Sequence, residues 1–528
     1  MKRRIVILGG GFAGVYVARR LERRLKRRDD VEVVLVNREN YFVFQPLLPE
    51  VISGTIGLTD VVTPLRRLLK RTDVHVREID GVDLEARTVT LAPGFHPTPQ
   101  VIHYDHLVIA LGTVTDFRGM RGLSEHAFPF KNLADALRLK NHVIRALEEA
   151  AIEGDDPELR KRLLTFVVAG GGFSGVEVAA ELNDLVRGAV TSYRGIDPKE
   201  VKVVLVHSQD RILPEVSPAL AAFAEKKLRA RGVEIRLNAR LEAATAQSAV
   251  LKGGEAIATA TLVSTVPSFP HPLVEALPLE KAGGRLIVDP FLRAGGRPDV
   301  WALGDCARVP APGGVFSPPT AQHATRQADV VADNILCALD GGAAGPLRFA
   351  GLGKMGSLGK RSAVAEILGL NISGFLAWFI WRTIYLMKLP GWGRRLKVAA
   401  AWTLDLLLPP ELVQLRTDVT PAIAQEHFEP GEIVFHEGDS GDRLYILLRG
   451  QAEVLIGTRR VAELAAGAYF GEMALVTNAP RNATVRCITA MDVLALPKRD
   501  FGLLATHLPG VKQSVEKVIE ERSRARSA

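Results

Sequence analysis

Two glycine-rich segments, about 160 residues apart, constrain what this chain can fold into more than any other feature. Each follows a short apolar run that is typical of a buried strand, and each precedes a helix-like pattern. Both have the spacing G-x-G-x-x-G, which falls on Gly9, Gly11 and Gly14 in the first segment and on Gly170, Gly172 and Gly175 in the second. The sequence therefore predicts two copies of one strand, turn and helix unit.

A turn with this glycine spacing is suited to phosphate binding. The first glycine permits a tight turn, the second lets a pyrophosphate approach bare backbone, and the third lets the helix pack against the strand. The N–H groups and the dipole of the helix then face the phosphates. One match alone is a weak signal, but two matches in one chain predict two bound dinucleotides.

Length, charge and cysteine content set broad limits on the rest. A chain of 528 residues is too long for one core, and we expect roughly three or four domains. A net charge of +8 suits anionic cofactors, anionic lipid or nucleic acid and does not distinguish them. The three cysteines are far apart and show neither a C-x-x-C motif nor metal-ligand spacing. We therefore predict a reducing compartment, no disulfide framework and no metal site.

The first unit has the pattern of a βαβ nucleotide-binding half. We predict a strand at 5–8, a basic helix at about 14–28 and a second strand at 31–36. The N-terminal apolar run is only four residues long and leads directly into the glycine turn, so we predict no export signal. The end of the second strand, where an acid usually binds ribose hydroxyls, holds Asn37. An amide can form that hydrogen bond without the strength that charge adds.

The apolar segment NYFVFQPLLPEVISG comes next, and a basic helix is predicted near 64–71. The apolar segment fits either a buried loop or a wall over a bound flavin, with equal weight. The strand predicted within YDHLVIALGT, from Tyr104 to Thr113, then ends in a turn of small residues. This strand and turn are typical of the point at which a chain leaves a flavin-binding domain.

In the second unit, the strand predicted at 201–206 ends at His207, where Asp or Glu usually selects the non-phosphorylated nicotinamide cofactor. A neutral imidazole does not repel a 2′-phosphate, and Arg211 is close in sequence. The residues alone therefore leave NADH and NADPH both open.

A later strand, DVWALGD, ends at Gly304 and Asp305, and the segment PPTAQHA then begins a helix. Asp305 fits either a contact with ribityl or ribose hydroxyls or a simple turn. Thr320 can cap the helix, and Gln322 lies in its first turn, where the helix dipole would stabilise negative charge on a reduced flavin. Its amide offers a donor and an acceptor to a carbonyl oxygen.

The motifs GGGFAG, FQPLL, LVIALGT, AGGGFSGVE, WALGDC and PPTAQHA, in this order, resemble those of type II NADH:quinone oxidoreductases over residues 1–410. The resemblance implies FAD on the first turn, NADH ahead of NADPH on the second, and Gln322 near the quinone. It also places Glu177 near nicotinamide or quinone, although Glu177 alone fits an acid favoured in a first helical turn. The implied catalytic residues are Glu177 and Gln322. The implied cofactor-binding residues are Gly9, Gly11, Phe12, Ala13, Gly14, Asn37, Arg38, Ala110, Gly112, Gly170, Gly172, Phe173, Gly175, Glu177, His207, Gly304, Asp305, Ala321 and Gln322.

The absence of any cysteine before Cys306 argues against flavoenzymes that need a redox cysteine pair at the flavin. The acceptor should therefore take electrons from the flavin directly, which fits transfer from NADH through FAD to a quinone, without proton pumping. The resemblance implies a peripheral enzyme at the cytoplasmic face of the inner membrane. A homodimer is left open.

The segment from Asn371 onward tests the membrane expectation. Its apolar run from Ile372 to Trp381 is shorter than the roughly 18 residues that a span requires. We predict a helix, a Pro390-Gly391 turn and a second helix lying on an anionic membrane surface. The residues expected at the headgroup boundary are Trp378, Trp381, Tyr385, Trp392 and Trp402, interspersed with Arg382, Lys388, Arg394, Arg395 and Lys397. The alternative is a buried packing or dimer element.

Beyond Leu415 short strands alternate with glycine turns, and FGEMALVTNAPRNATV resembles the phosphate cassette of cyclic-nucleotide-binding domains over about 415–520. The resemblance implies that Glu472 binds the ribose 2′-hydroxyl and Arg481 the cyclic phosphate, with help from Gly471 and Ala483. Asn482 departs from the small or hydroxyl residue usual there, which leaves cAMP, favoured here, or cGMP. A non-binding roll is the alternative. About thirty residues follow Leu496 and end in a mixed-charge helix at about 511–524. These are too few for an added DNA-binding helix-turn-helix pair, so we predict no nucleic-acid partner.

The predicted fold class is α/β, with two Rossmann-like dinucleotide-binding domains, an amphipathic helical membrane segment and a C-terminal all-β roll. The predicted domains are FAD-binding at 1–115 and 290–345, NAD(P)H-binding at 116–289, a membrane-surface segment at 346–412 and a cyclic-nucleotide-binding domain at 413–528. The predicted function is NADH:quinone oxidoreduction, with regulation by cyclic nucleotide. The alternatives are a soluble flavin reductase serving a protein such as ferredoxin and a non-catalytic scaffold.

Overall fold

The structure is a computed structural model, which describes residues 2–115, 117, 120–265, 268–405, 408, 412–415, 424–428, 430–439, 441, 443–472 and 480–497. The chain divides into two compact units. The first unit comprises Met1–Val89 and His103–Leu415, and the second comprises Thr90–Ile102 and Arg416–Ala528. The helix predicted at 511–524 lies outside the described residues.

The elements up to the second glycine turn comprise both strands and helices. Their bounds are β1 Arg3–Leu8, α1 Phe12–Arg24, β2 Val31–Asn37, β3 Tyr41–Val43, a 3₁₀ helix Gln45–Leu47, α2 Pro49–Ser53, β4 Val62–Pro64, α3 Leu65–Leu68, β5 Asp73–Val76, β6 Ile79–Asp83, β7 Thr88–Leu91, β8 Gln100–His103, β9 His106–Ile109, β10 Thr113–Thr115, α4 Leu123–His126, β11 Ala127–Pro129, α5 Leu133–Ile152, α6 Pro157–Leu163 and β12 Thr165–Ala169.

The elements of the first unit that follow the second glycine turn end with two helices before residue 405. Their bounds are α7 Phe173–Val190, β13 Lys202–Val206, α8 Pro218–Ala230, β14 Val233–Arg236, β15 Leu241–Ala244, β16 Ser248–Leu251, β17 Ala256–Ala258, β18 Thr261–Ser264, β19 Ser268–Pro270, α9 Pro272–Ala276, β20 Lys281–Ala282, β21 Arg285–Ile287, β22 Val300–Ala302, a 3₁₀ helix Gly304–Cys306, β23 Ala307–Arg308, α10 Ala321–Asp340, β24 Gly353–Ser357, β25 Ala363–Ile367, β26 Leu370–Ser373, α11 Gly374–Lys388 and α12 Trp392–Leu404.

Two five-stranded parallel sheets form the cores of the first unit. The first has the strand order β22-β9-β1-β2-β5, and the second has the order β11-β18-β12-β13-β14. The central strands β1 and β12 carry the fully buried apolar runs IVIL and FVVA, as expected where helices cover both faces of a parallel sheet. The carboxyl ends of β1 and β12 point to the two glycine turns. The predicted α/β architecture with parallel Rossmann-type cores is confirmed.

Each glycine turn depends on a close approach of helix to strand. A Cβ added to Gly14 would stand 1.9 Å from the Gly9 carbonyl oxygen, and one added to Gly175 would stand 1.8 Å from the Gly170 oxygen. Neither position can hold a larger residue without moving the helix away from the sheet. Gly9 itself has φ +104°, which a side chain rarely adopts.

Several expected elements are shorter or different in the structure. The helix predicted at 64–71 is wrong in extent, because Pro64 ends the strand β4 and only Leu65–Leu68 is helical. The segment around FQPLL is not a plain loop, and its role as a wall over a bound flavin stays a prediction. It forms β3, a 3₁₀ helix and α2, whose residues are all buried. Thr320 occupies the N-cap position of α10, but its hydroxyl bonds to His323 Nδ1 and does not cap the helix.

The predicted pair of helices around Pro390-Gly391 is confirmed as α11 and α12, but the expected environment of their aromatic residues is wrong. Trp378, Trp381 and Trp402 are buried, each at most 7% exposed. Trp381 lies 4.8 Å from Tyr385 and 6.4 Å from Trp402, between ring centroids. Among the five aromatic residues expected at the headgroups, only Trp392 is exposed. Sequence composition alone does not show whether an aromatic face packs inward.

The outward faces of the two helices carry other apolar side chains. These exposed residues are Phe375, Leu376, Phe379 and Met387 on α11 and Trp392, Leu396 and Leu404 on α12. Among the described residues, no helix combines the length and the apolar character needed to cross a membrane.

The second unit contains an all-β roll. Its strands are β27 Ala424–Phe428, β28 Ile433–Phe435, β29 Arg443–Arg449, β30 Gln451–Ile456, β31 Arg459–Ala465, β32 Tyr469–Phe470, β33 Thr484–Cys487 and β34 Met491–Pro497. They form two antiparallel sheets, of order β27-β34-β29-β32 and β28-β33-β30-β31. The inward residues of both sheets share one apolar cluster that includes Leu447, Ala452, Met491 and Val493. The predicted C-terminal all-β architecture is confirmed.

We predict that Gly14→Ala destabilises the chain while Gly11→Ala does not. The added methyl at position 14 collides with a backbone oxygen, and overpacking of this kind costs about 1–3 kcal/mol or more. At position 11 an added Cβ meets no atom within 4 Å. Thermal unfolding followed by circular dichroism should show a lower midpoint for Gly14→Ala alone. Equal midpoints for both variants would contradict the close approach.

Candidate functional site

The first glycine turn is open where a phosphate would approach. A Cβ added to Gly11 would meet no atom within 4 Å, and the Gly10 N–H donates to the Asn37 side-chain oxygen at 2.7 Å. The Asn37 amide nitrogen donates to the Glu39 carbonyl oxygen at 2.7 Å. Asn37 therefore fixes the turn through its own side chain. Arg38, also predicted at this site, is exposed and pairs with Glu39 and Glu78.

A second loop closes on the same turn. Gly304, with φ +74°, lies so close to Ala13 that an added Cβ would stand 3.1 Å from the alanine methyl. Its N–H donates to Gln327 Oε1 at 2.8 Å, and Gln327 is buried on α10. Sequence analysis missed Gln327, although it lies five residues after Gln322 on the same helix. The structure thus brings Asp305 and the N-terminus of α1 to one place.

Further predicted residues surround this turn. Ala110 abuts Gly9, since a Cβ on Gly9 would stand 2.4 Å from the Ala110 carbonyl oxygen, and Gly112 has φ +64°. Phe12 packs into an aromatic group with Phe42 and Phe44, at centroid distances of 4.9 and 5.6 Å. The open backbone at Gly11 beside a strand edge and a helix N-terminus fits the pyrophosphate of a dinucleotide.

The second glycine turn has the same construction with different partners. The Gly171 N–H donates to His207 Nδ1 at 3.0 Å, so the neutral imidazole carries its proton on Nε2. His207 is 9% exposed, and burial lowers its pKa. Its Nε2 is buried without a hydrogen-bond partner among the described residues. A buried donor with no acceptor is the kind of group that a bound ligand satisfies.

The two glycine turns differ in how open they are to an approaching ligand. A Cβ on Gly172 would stand 2.9 Å from Glu215 Oε1, whereas nothing stands over Gly11. Glu215 is exposed, so its carboxylate is free to turn into solvent when an anion approaches. Phe173, the next predicted residue, lies against Gly356 of β24.

The two predicted catalytic residues attach to opposite ends of the strand β24. Glu177 Oε1 accepts the Ser357 N–H at 3.0 Å. Gln322 donates to the Gly353 carbonyl oxygen at 2.9 Å and accepts the Leu352 N–H at 3.1 Å. The four residue steps from 353 to 357 span about 13 Å in an extended strand. Ala321 begins α10 beside Gln322. Both side chains are therefore held by backbone groups at the ends of one strand.

A buried polar cluster that sequence analysis missed lies among α2, α7, α11 and α12. Glu50 on α2 accepts the Trp402 indole N–H at 2.6 Å and lies 3.7 Å from Arg382 Nη2. The Arg382 guanidinium lies over the rings of Trp378 and Trp402, at 4.1 and 4.7 Å from their centroids. Glu50 and Arg382 are more than 300 residues apart, and no local pattern links them.

Burial makes the carboxyl groups around this cluster weak acids. Burial raises the pKa of Glu50 to about 7, against the opposing charge of Arg382. It raises the pKa of Glu177 to about 8, and it raises the pKa of Glu181, which is 4% exposed, well above its usual range. The folded state holds protons on these groups that the unfolded chain releases. Their contribution to stability therefore falls as the pH rises from about 4.5 through the folded pKa values.

Cys306 is unsuited to thiol chemistry. It is fully buried, its thiol donates to the Leu303 carbonyl oxygen at 3.3 Å, and burial raises its pKa to about 11. The thiolate is the reactive form of cysteine, so this thiol is inert at neutral pH.

The second unit holds the predicted cyclic-nucleotide residues in a buried group. Arg481, 5% exposed, donates to the carbonyl oxygens of Gly471 at 2.6 Å and Arg443 at 2.8 Å. Its guanidinium lies 4.1 Å from the Phe435 ring centroid. Glu472 and Ala483 are buried, and Asn482 is half-buried. Seven of the sixteen cassette residues, 473–479, lie outside the described residues.

Family models match three parts of the chain. The pyridine nucleotide-disulphide oxidoreductase family matches residues 3–328, the NDH2 C-terminal domain matches 352–408, and the cyclic nucleotide-binding domain matches 425–506. The first match alone covers more than half of the chain.

Curated relatives agree with these matches. The chain is 32% identical over 422 residues to the type II NADH:quinone oxidoreductase NdhA of Mycobacterium tuberculosis, covering 77% of this chain and 87% of that protein. It is 30% identical to the type II NADH:quinone oxidoreductase of Staphylococcus epidermidis, covering 72% and 94%. A structure of NDH2 from Plasmodium falciparum in complex with NADH shares the fold, with a TM-score of 0.72 at 19% identity over 78% of this chain and 100% of that one. The chain therefore belongs to the type II NADH:quinone oxidoreductase family and carries a cyclic nucleotide-binding domain after the part that the family covers.

Proposed function

We propose that this chain is an FAD-dependent NADH:quinone oxidoreductase. The observation that carries the proposal is the pair of glycine turns within one unit, one of them open at Gly11 and closed on by Gly304, in a chain that belongs to this family. When bound, FAD supplies two-electron transfer between a hydride donor and a quinone. Two observations support direct electron transfer from the flavin to the quinone. No cysteine precedes Cys306 in the sequence, and the buried Cys306 thiol is itself inert.

In this proposal the protein binds and orients its cofactors. The backbone from Gly9 to Gly14 holds the FAD pyrophosphate, and Asp305 binds the ribityl chain. The turn from Gly170 to Gly175 holds the nicotinamide cofactor. Glu177 and Gln322 lie at the reacting end, and Gln322 exchanges one of its two bonds to the β24 region for the quinone carbonyl.

The test is the purified protein's flavin absorbance, followed by NADH titration with a soluble quinone such as menadione. A yellow protein that NADH bleaches and that menadione reoxidises is expected. A protein that neither contains nor takes up flavin would rule out the proposed function. Bleaching by NADH without reoxidation by any quinone would instead favour a flavin reductase that serves a protein acceptor.

We predict that His207→Glu increases the preference for NADH over NADPH. The buried imidazole Nε2–H is a donor that suits a ribose hydroxyl or a 2′-phosphate, whereas a carboxylate there accepts from the hydroxyls and repels the phosphate. The ratio of the two dissociation constants should change by about 100-fold, which is about 2.7 kcal/mol. The dependence of the flavin reduction rate on the concentration of NADH and of NADPH, measured by stopped flow, gives both constants.

The matched control is Gln209→Glu, which adds the same charge at an exposed position two residues away. It should change the ratio by about twofold or less, because exposed charges are screened by solvent. An equal shift in both variants would show that His207 does not contact the cofactor.

We further propose that the exposed apolar faces of α11 and α12 rest on a membrane surface. Leu376 and Phe379 are each close to 60% exposed on α11, and Trp392 is 72% exposed at the start of α12. The nearby exposed Lys388 and Lys397 suit anionic headgroups. The residues proposed to contact the membrane differ from those expected from the sequence. Three of the expected tryptophans are buried within the segment, and other apolar side chains face outward.

We predict that Leu376→Ser combined with Phe379→Ser weakens binding to anionic lipid vesicles. Burying one such side chain contributes about 1.5–3 kcal/mol. Because the variant removes two of them, the partition of the protein onto vesicles should fall by at least about tenfold. Cosedimentation with vesicles measures it, and Ile152→Ser, at an exposed residue on α5, is the control. Unchanged partition of the double variant would contradict this docking face.

The cyclic nucleotide-binding domain is proposed to bind a cyclic nucleotide, with cAMP favoured, and to alter turnover or membrane partition. Arg481 already presents its donors to two carbonyl oxygens, and a phosphate is a stronger, charged acceptor for the same fork. Binding would therefore exchange backbone acceptors for the ligand and release Gly471. That exchange gives the ligand a local structural effect.

We predict that Arg481→Gln weakens cAMP binding by about 10- to 100-fold, because a charge-assisted hydrogen bond contributes about 1.5–3 kcal/mol. Calorimetric titration measures the affinity. Arg486→Gln, an exposed change on β33 that removes an ion pair with Glu453, should leave it unchanged. Turnover and vesicle binding are then compared with and without cAMP. Demonstrated binding with no change in either would contradict regulation.

A further inference from the structure

A cavity of about 230 Å³ lies beside the buried carboxyl groups of the first unit. Its walls include Glu50 and Glu181 from the buried cluster and Lys360 and Arg361 from the loop before β25. A polar cavity of this size has room for several water molecules. The cavity therefore connects buried titratable groups with basic surface residues.

Three glutamates form a ladder next to the cavity. Glu177 and Glu181 are one helical turn apart on α7, so their side chains share one face of the helix. The helix α2 packs against α7 and presents Glu50, whose charge raises the pKa of both other groups. Glu181 also bonds to the Ser53 hydroxyl of α2. We call these three glutamates, Glu50, Glu177 and Glu181, the carboxyl ladder.

Charged and titratable groups face the carboxyl ladder from every element packed against it. Arg382 of α11 and Asp405 after α12 flank Glu50, and Tyr385 of α11 lies near Glu177. Asp184 of α7 lies near Glu181 and pairs with Arg231, and its other oxygen accepts the Lys360 N–H at 2.8 Å. Arg361 completes the wall of the cavity. The charge of Asp184 is thus compensated by Arg231. Burial is the main cause of the raised pKa values of the three ladder residues.

The proposed reaction needs one proton from water. The hydride of NADH carries two electrons and one proton, and a quinol contains two electrons and two protons more than the quinone. The balance is NADH, H⁺ and quinone giving NAD⁺ and quinol. A buried reaction site therefore needs a route by which one proton per turnover enters from solvent.

We propose that the carboxyl ladder is that route, with the proton entering through the cavity and passing from Glu181 by way of Glu50 to Glu177. This inference rests on the proposed function. Glu181 and Glu50 act through Glu177 and do not touch the quinone. The Trp402 indole and the Arg382 guanidinium hold Glu50 in place on α2, which packs against α7.

The state of protonation suits this role. With pKa values of about 7 for Glu50 and about 8 for Glu177, the two groups exchange protons near neutral pH. Above about pH 8 Glu50 and Glu177 are mostly ionised and hold no proton to pass on. Quinone reduction should therefore fall as the pH rises through that range, while flavin reduction by NADH does not need this proton.

The test compares both half-reactions in Glu181→Gln, in the full-length flavin-loaded protein. Menadione reduction should fall by about tenfold or more, and flavin reduction by NADH should change by less than about twofold. Glu181→Asp, which retains a titratable carboxyl, should recover at least half of the lost rate. Glu225→Gln, a helical glutamate paired with Arg229 on α8, is the control and should match the parent.

Infrared spectra give a readout independent of turnover. The resting protein should lose carbonyl absorption of protonated carboxyl groups as the pH rises through the pKa values of Glu50 and Glu177, and Glu181→Gln should lack part of the absorption that the parent shows at low pH. A parent that reduces no quinone would overturn the proposed function itself. A parent that does, with Glu181→Gln keeping the same rate, pH profile and infrared change, would overturn the carboxyl ladder alone.

Discussion

The close approach of helix to strand at each glycine turn is the constraint on which the first unit depends. At Gly14 and Gly175 the helix backbone touches the turn, and no side chain fits between them. This contact places the helix N-terminus over the end of the central strand. In both turns the N–H of the middle glycine of the GGG run, Gly10 or Gly171, then donates to the last residue of the neighbouring strand or to the one after it, Asn37 or His207. The position needs an acceptor atom and tolerates a neutral one, which explains how both residues replace the usual acid.

The sequence predicted the two parallel cores well, because buried strands are uniform runs of Val, Ile and Leu and the glycine spacing requires a tight turn and a helix after each run. Local signals failed where proline and basic residues gave a helical appearance, as at Pro64, which ends a strand. Local signals also could not show whether an aromatic side chain faces the core or the solvent. Trp378 and Trp402 have the composition of a membrane boundary, and the structure packs them around Arg382.

The candidate site was predictable to the extent that its residues belong to motifs. The glycines, Asp305, Glu177 and Gln322 all lie in recognisable segments, whereas Gln327 holds Gly304 from within an ordinary helix. Glu50 could not have been found, since its partner Trp402 is 352 residues away. A buried ion pair such as Glu50 and Arg382 is weak evidence for stability, because desolvation offsets the attraction. Its retention at the junction of four helices fits a role in setting how they meet.

The distribution of tryptophans has a practical consequence. Four of the five, all but Trp301, belong to α11 and α12, and three of these four are buried against one another or against Arg382. Emission from the indole rings is therefore dominated by one small part of the molecule. Intrinsic fluorescence would therefore report changes in the packing of these two helices, whereas far-UV circular dichroism reports the secondary structure of the whole chain. The chain carries its own local optical probe of the segment that joins its flavoenzyme core to its C-terminal roll.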